Sequence, residues 1–155
     1  MSAARWALAA AVAAGTSYVA GWFLPLPAPA AIAWKGAGVG LLAVYAALAA
    51  KGRTRIWLAA ILAFGALGDV LLETSGLIVG AFAFLAGHLT AIFFYLSRRR
   101  AGLGRADWSF AAALVAGVTA LAWALPPDRS GAGLIALYTV GLSAMAAAAW
   151  LSRFP

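Results

Sequence analysis

The feature that most constrains this chain is a series of six long apolar runs, separated by short polar or Pro/Gly-rich breaks. A transmembrane helix needs about 20 mostly apolar residues, and each run has about that length. The runs lie at approximately 6–24, 30–50, 56–73, 77–97, 107–125 and 133–151. Of the 155 residues 66% are hydrophobic and only 10% are charged, which is far too apolar for a water-soluble fold of this size. The sequence therefore predicts an all-α, polytopic transmembrane bundle of about six helices.

The breaks between the runs are too short to hold a soluble domain, so we predict that residues 1–155 form a single integral membrane domain. The first run begins near a basic residue, Arg5, as a cleaved signal peptide also does. However, the run is long and carries Tyr18 and Trp22, which favours an uncleaved first helix.

Basic residues are distributed unevenly among the breaks. If loops alternate between the two sides, nine Lys and Arg residues fall on one side and only Arg129 on the other, while Lys35 lies inside the second run. The nine are Arg5, Lys51, Arg53, Arg55, Arg98, Arg99, Arg100, Arg105 and Arg153. The positive-inside rule then predicts that both termini are cytoplasmic. We interpret the net charge of +7 as a consequence of this membrane orientation and therefore expect no nucleic-acid partner. We expect a multi-pass protein of the bacterial inner (plasma) membrane.

Two pairs of glycines recur at a spacing of four residues, Gly36 with Gly40 and Gly76 with Gly80. On a helix this spacing places both members on one face, where the missing side chains let two backbones approach closely in lipid. The glycine pairs therefore predict helix packing and, taken alone, no chemistry.

Few ionisable side chains lie within the apolar runs. A charged group at membrane depth costs roughly 2.5–3.5 kcal/mol by insertion scales, so such groups tend to face the bundle interior and to serve a function. The candidates are Lys35, Asp69, Glu73 and His88, with Tyr138 at a similar depth. We expect this set to line one cavity that opens outward. Because the chain has no cysteine, one histidine and four acids, we predict neither a metal site nor a cofactor.

Each candidate also has a structural interpretation. Glu73 follows Asp69 by one helical turn and marks the end of its run, so it is also consistent with a plain interfacial residue. Lys35 either extends outward toward the interface or neutralises Asp69 in an ion pair. A single histidine such as His88 is often a packing residue.

Two neighbouring segments, FGALGDVLLE and IVGAFAFLAGHLTAIFFY, resemble the YhhN-like lysoplasmalogenase family of multi-pass membrane proteins. That family shows a Gly-Asp motif in one helix and a Gly-x3-Phe-x3-His pattern in the next. Here Gly68 and Asp69 match the first motif, while Gly80, Phe84 and His88 match the second.

The resemblance extends to both sides of these motifs. Lys35 falls where the family carries Lys-Pro-Leu, although Gly36 replaces the proline, and LYTVGLSAM resembles the family's late helix with Tyr138. Family members usually continue past the position of Pro155 to a second acidic motif, which these 155 residues lack. We therefore expect a short form, a truncated product or a shortened relative, with the second carboxylate supplied either by Glu73 or by such a further segment.

The resemblance implies hydrolysis of the vinyl-ether bond of a lysoplasmalogen, a lysophospholipid of the membrane. On that basis the expected catalytic residues are Asp69, His88 and Glu73. The expected substrate-binding residues are Lys35, Tyr138, Gly68 and Phe84. A small proton-coupled transporter and a non-catalytic membrane subunit or degenerate family member remain as alternatives, and the oligomeric state stays open.

Overall fold

The structure, a computed structural model, describes residues 2–154, and in that range it contains six α-helices and no β-strand. The helices are α1 (Ala3–Ser17), α2 (Ala28–Ala49), α3 (Gly52–Thr74), α4 (Leu77–Leu96), α5 (Arg105–Ala124) and α6 (Ala132–Trp150). A short 3₁₀ helix, Tyr18–Phe23, extends α1. By length and apolar composition, all six spans can cross a membrane when α1 is counted with this extension. The predicted all-α, six-span fold is confirmed.

The predicted breaks lie within a few residues of the observed helix ends, with one instructive difference. The basic segment KGRTR was expected to separate two helices, but α3 begins at Gly52 and includes Arg53 and Arg55 in its first turn. Cations near a helix N-terminus oppose the helix dipole. The helical conformation is nevertheless favoured here, because helical backbone bonds itself at the membrane boundary while long Arg side chains reach out toward water.

The first span ends at a tryptophan-centred contact with α2. The indole N–H of Trp34 donates to the Ala14 carbonyl oxygen and to the Ser17 hydroxyl oxygen, both at 3.1 Å. The ring of Tyr18 meets that of Trp34 edge-on, with centroids 6.3 Å apart. Pro25 follows shortly, and a proline disfavours helical geometry in the residue before it, which ends the span.

The chain divides into two units within α4, between residues 87 and 88. The first unit contains α1, α2, α3 and the first part of α4. Close glycine contacts join its helices: a Cβ added to Gly38 would lie 3.0 Å from the Cα of Gly15, across the α1–α2 interface. Backbones can approach this closely only where side chains are absent.

Two further contacts in the first unit are closer still. A Cβ on Gly36 would lie 2.9 Å from Cγ2 of Val70, and a Cβ on Gly80 would lie 2.6 Å from Cγ of Leu72. Gly76, the predicted partner of Gly80, instead forms the α3–α4 turn at a φ of 89°, which favours glycine. The predicted close packing is thus confirmed at Gly36 and Gly80.

The second unit contains the end of α4, together with α5 and α6. Its small buried core consists of Ala111, Ala147 and Leu151. The segment after α6 pairs antiparallel with the loop after α4, because the Arg100 N–H donates to the Leu151 carbonyl (3.1 Å) and the Arg153 N–H to the Arg98 carbonyl (3.0 Å). These two bonds tie the last described residues to the end of α4.

We predict that Gly80→Ala lowers the free energy of unfolding by about 1–3 kcal/mol, because the new methyl group overlaps the Leu72 side chain and lies 2.8 Å from its backbone nitrogen. Gly117→Ala in α5 is the matched control, since nothing lies within 4 Å of a Cβ at that position. The control should be neutral or more stable by up to about 1 kcal/mol from helix propensity. Thermal unfolding in detergent measures both, and equal tolerance of the two alanines would contradict the packing described.

Candidate functional site

The end of α3 and the facing part of α2 bring together three ionisable side chains. Asp69 and Glu73 lie one turn apart in the last six residues of α3. The Lys35 ammonium of α2 donates a hydrogen bond to Oε1 of Glu73 at 2.6 Å, which also makes the two groups an ion pair. The Lys35 side chain is 23% exposed and that of Glu73 is 46% exposed. Glu73 is therefore more than a residue that marks the helix end.

The sequence left open whether Lys35 extends outward or pairs with Asp69. The structure shows its hydrogen bond with Glu73, which lies one turn nearer to the end of α3 than Asp69. A flexible lysine side chain allows this, because its methylene stem can follow an apolar helix surface while its charge reaches toward the interface. Lys35 still interacts electrostatically with Asp69.

Asp69 has different surroundings from Glu73. The residue is half-buried, and no group among residues 2–154 forms a hydrogen bond or ion pair with its carboxyl group. An acid within a membrane-spanning helix is costly without such partners, and residues of this kind are commonly functional. The structure thus separates the two acids of this helix: Glu73 is paired with a cation, and Asp69 is unpaired.

Gly68 and Phe84, both predicted to bind substrate, contact each other. A Cβ added to Gly68 would lie 2.8 Å from three atoms of the Phe84 ring, so the ring covers the backbone of α3 at this point. Gly68 is buried, and it directly precedes Asp69. The contact gives both residues a clear packing role, which holds the α3 backbone at Asp69 against α4. Their part in substrate binding stays a prediction.

His88 and Tyr138 form a second polar contact, within the second unit. The distance between Nε2 of His88 and the Tyr138 hydroxyl oxygen is 3.1 Å, and the ring centroids lie 5.6 Å apart. Both side chains are half-buried. One of the two groups donates the proton of this bond, and the histidine tautomer decides which. The pair therefore joins two side chains that can each donate or accept a hydrogen bond.

The five polar candidates thus fall into two groups. Lys35, Asp69 and Glu73 meet in the first unit, and His88 meets Tyr138 in the second. The sequence did not reveal whether Lys35 pairs with Asp69 or with Glu73. The four-residue spacing of the two acids did place both on one face of α3, which is the face that Lys35 contacts. Over residues 2–154, no three His, Cys, Asp or Glu side chains converge as metal ligands.

Comparison with known proteins yields one match. A model of the YhhN family matches residues 30–154, which include every candidate residue described above. No curated protein and no solved structure matches the chain.

We predict that Lys35 and Glu73 are energetically coupled. In a double-mutant cycle of Lys35→Gln and Glu73→Gln, replacing the second partner should lower the stability little once the first has been replaced. We expect a coupling energy of about 1 kcal/mol. The same cycle with Asp69→Asn in place of Glu73→Gln is the matched control and should show weaker coupling, because Asp69 makes no hydrogen bond to Lys35. Thermal unfolding in detergent gives all values, and strict additivity of Lys35 and Glu73 would contradict the ion pair.

Proposed function

The chain belongs to the YhhN family, and from that premise we propose that it is a membrane-embedded hydrolase of the lysoplasmalogenase type. The proposed reaction cleaves the vinyl-ether bond of a lysophospholipid and releases a fatty aldehyde and a glycerophospho-alcohol. The observation that carries the proposal is the contrast between an unpaired acid, Asp69, and a cation-paired acid, Glu73, on one face of α3.

The steps of vinyl-ether hydrolysis determine which groups the site needs. In the first step a proton adds to the alkene carbon farther from the ether oxygen, and the π electrons form the new C–H bond, which leaves an oxocarbenium ion. Water then adds to the carbon bonded to oxygen and loses a proton, giving a hemiacetal. The hemiacetal breaks its C–O bond to form the aldehyde and the alcohol. The site therefore needs a proton donor and a negative charge near the cation.

The two acids suit these two requirements. An unpartnered carboxyl group in an apolar span is costly to keep ionised, so we assign the proton donor to Asp69 in its neutral form. Glu73, which accepts a hydrogen bond from the Lys35 ammonium, supplies the carboxylate that stabilises the oxocarbenium ion and accepts the proton of the attacking water. Different surroundings commonly give two carboxyl groups these opposite roles.

Lys35 offers a place for the substrate phosphate. Its ammonium group is a point charge on a flexible stem, and an arriving phosphate would share it with Glu73. A lysolipid that enters between helices keeps its headgroup near the membrane surface and its vinyl ether deeper. This order matches Glu73 near the end of α3 and Asp69 one turn deeper.

We also propose a proton-relay role for His88, one of the expected catalytic residues, and its hydrogen bond with Tyr138 supports that role. Tyr138→Phe removes the hydroxyl group but keeps the ring, so it tests the bond separately from the packing. We expect a smaller loss of turnover from Tyr138→Phe than from His88→Ala.

The decisive test is vinyl-ether hydrolysis by the purified chain in detergent, followed by aldehyde release. Asp69→Asn should lower kcat by about 10²–10⁴-fold, which is the usual contribution of a positioned general acid. Asp128→Asn is the matched control, because Asp128 is exposed in the α5–α6 loop and bonds only to Ser130 among the described residues.

Absence of turnover from folded wild-type protein, or full activity of Asp69→Asn, would contradict the proposal. Solute flux across sealed vesicles without hydrolysis would favour the transporter alternative.

We also propose that both termini are cytoplasmic, which places the Lys35 and Glu73 pair near the outer surface. The chain has no cysteine, so single substitutions report sidedness directly. A membrane-impermeant maleimide applied to intact cells should label Ser75→Cys, at the exposed end of α3, and leave Ala101→Cys unlabelled until the cells are opened. The reverse pattern would invert the orientation.

A further inference from the structure

The second unit holds a cleft of about 990 Å³ that the proposed reaction does not use. It lies where α4 and α6 end and α5 begins, beside the segment that follows α6. The residues that define its character are two arginines and four aromatic residues, namely Arg100, Arg153, Tyr95, Phe110, Trp150 and Phe154. A volume of several hundred to about 1,000 Å³ is typical of ligand pockets.

Positive charge is concentrated around this cleft. The loop after α4, the first turn of α5 and the segment after α6 together carry five arginines, against the single acid Asp107. Arg100 pairs with Asp107 and lies 5.3 Å above the Trp150 ring, so that acid is already engaged. No acidic group among residues 2–154 pairs with the side chain of Arg153. Among the described residues the cleft therefore has an excess of cations over acids, and it offers an anion at least one unpaired arginine.

The segment after α6, which carries Arg153 and forms one side of the cleft, is held in place by several contacts. Ser152 is only 4% exposed, and its hydroxyl donates to the Ala149 carbonyl at 2.7 Å and accepts from the Phe154 N–H at 3.2 Å. The Phe154 ring stacks on Phe94, with centroids 5.4 Å apart. Together with the antiparallel pairing of this segment, these contacts preorganise the cleft before any ligand arrives.

The remaining lining is apolar and extends along the helices. Leu114 lies more than two turns into α5, and Ala146 lies one turn before the end of α6. A cleft with arginines at its mouth and an apolar floor along membrane-spanning helices matches an amphiphile, whereas a free anion would contact only the mouth. Basic pockets between membrane helices are known to bind anionic lipid headgroups.

We propose that this cleft binds an anionic membrane phospholipid. The phosphate contacts Arg153 and the free edge of Arg100, and the upper part of an acyl chain lies against Phe110 and Trp150. In the orientation proposed above the cleft faces the cytoplasmic leaflet, whose anionic lipids carry the complementary charge. The inference does not depend on the proposed hydrolysis, because no residue that lines the cleft has a role in that reaction.

The experiment is thermal unfolding of the purified full chain in detergent, titrated with phosphatidylglycerol, phosphatidylcholine or inorganic phosphate. We expect phosphatidylglycerol to raise the unfolding temperature up to a plateau, as binding to a single site does. Phosphatidylcholine and inorganic phosphate should have no comparable effect at equal concentration. Arg153→Gln should raise the half-saturating concentration about fivefold, since one Arg near an anionic headgroup contributes about 1 kcal/mol. Arg53→Gln, which removes an exposed cation of α3, is the matched control and should behave as wild type.

A second variant separates the cleft from surface charge alone. Ala146→Trp keeps every charge and fills the apolar part of the cleft, so it should abolish the saturable response to phosphatidylglycerol. Arg153→Lys keeps the cation and should retain most of the response, which distinguishes a lost charge from a damaged fold. Equal stabilisation by phosphatidylcholine or by free phosphate, a wild-type response of Ala146→Trp, or equal effects of Arg53→Gln and Arg153→Gln would each overturn the proposal.

Discussion

The backbone of a membrane-spanning chain has no water to bond to, so every peptide group inside the lipid must find its partner within its own helix or another protein segment. This constraint accounts for the span lengths of 19 to 23 residues and for the spans that begin or end close to charged or proline-containing segments. It also explains why the helical conformation extends into the basic segment before the third span. Once helices are obligatory, the remaining freedom lies in how they pack and which side chains they expose to one another.

Packing within the first unit depends on residues without side chains. Lipid tails are as apolar as leucine, so apolar side chains alone give helices little reason to associate, and close backbone contact supplies the attraction instead. Gly36, Gly38 and Gly80 each mark such a contact, with the α3 contact at Gly36 directly beside Lys35. Gly36 therefore has a packing role, because Val70 occupies the space that a Cβ would need.

The same packing produces the asymmetry between the two acids of α3. Phe84 covers Gly68 and so fixes the backbone that carries Asp69. The long side chain of Lys35 extends to Glu73 and forms an ion pair with it. One carboxyl group is thus left unpaired among the described residues, and the other is held by a cation one turn away. On this difference in surroundings rests our proposal that one acid donates a proton and the other acts as a carboxylate in the same reaction.

The sequence by itself determined the helical architecture, since each continuous apolar run is long enough to span a bilayer as a helix that satisfies its own backbone hydrogen bonds. It also identified the few ionisable residues within the apolar runs, because they stand out against the apolar background. Tertiary structure decided the partners. Lys35 bonds to Glu73 and leaves Asp69 unpaired, and His88 bonds to Tyr138, fifty positions away. Helix packing sets such contacts between distant positions, and the period of a single helix carries no information about the face of another helix that it meets.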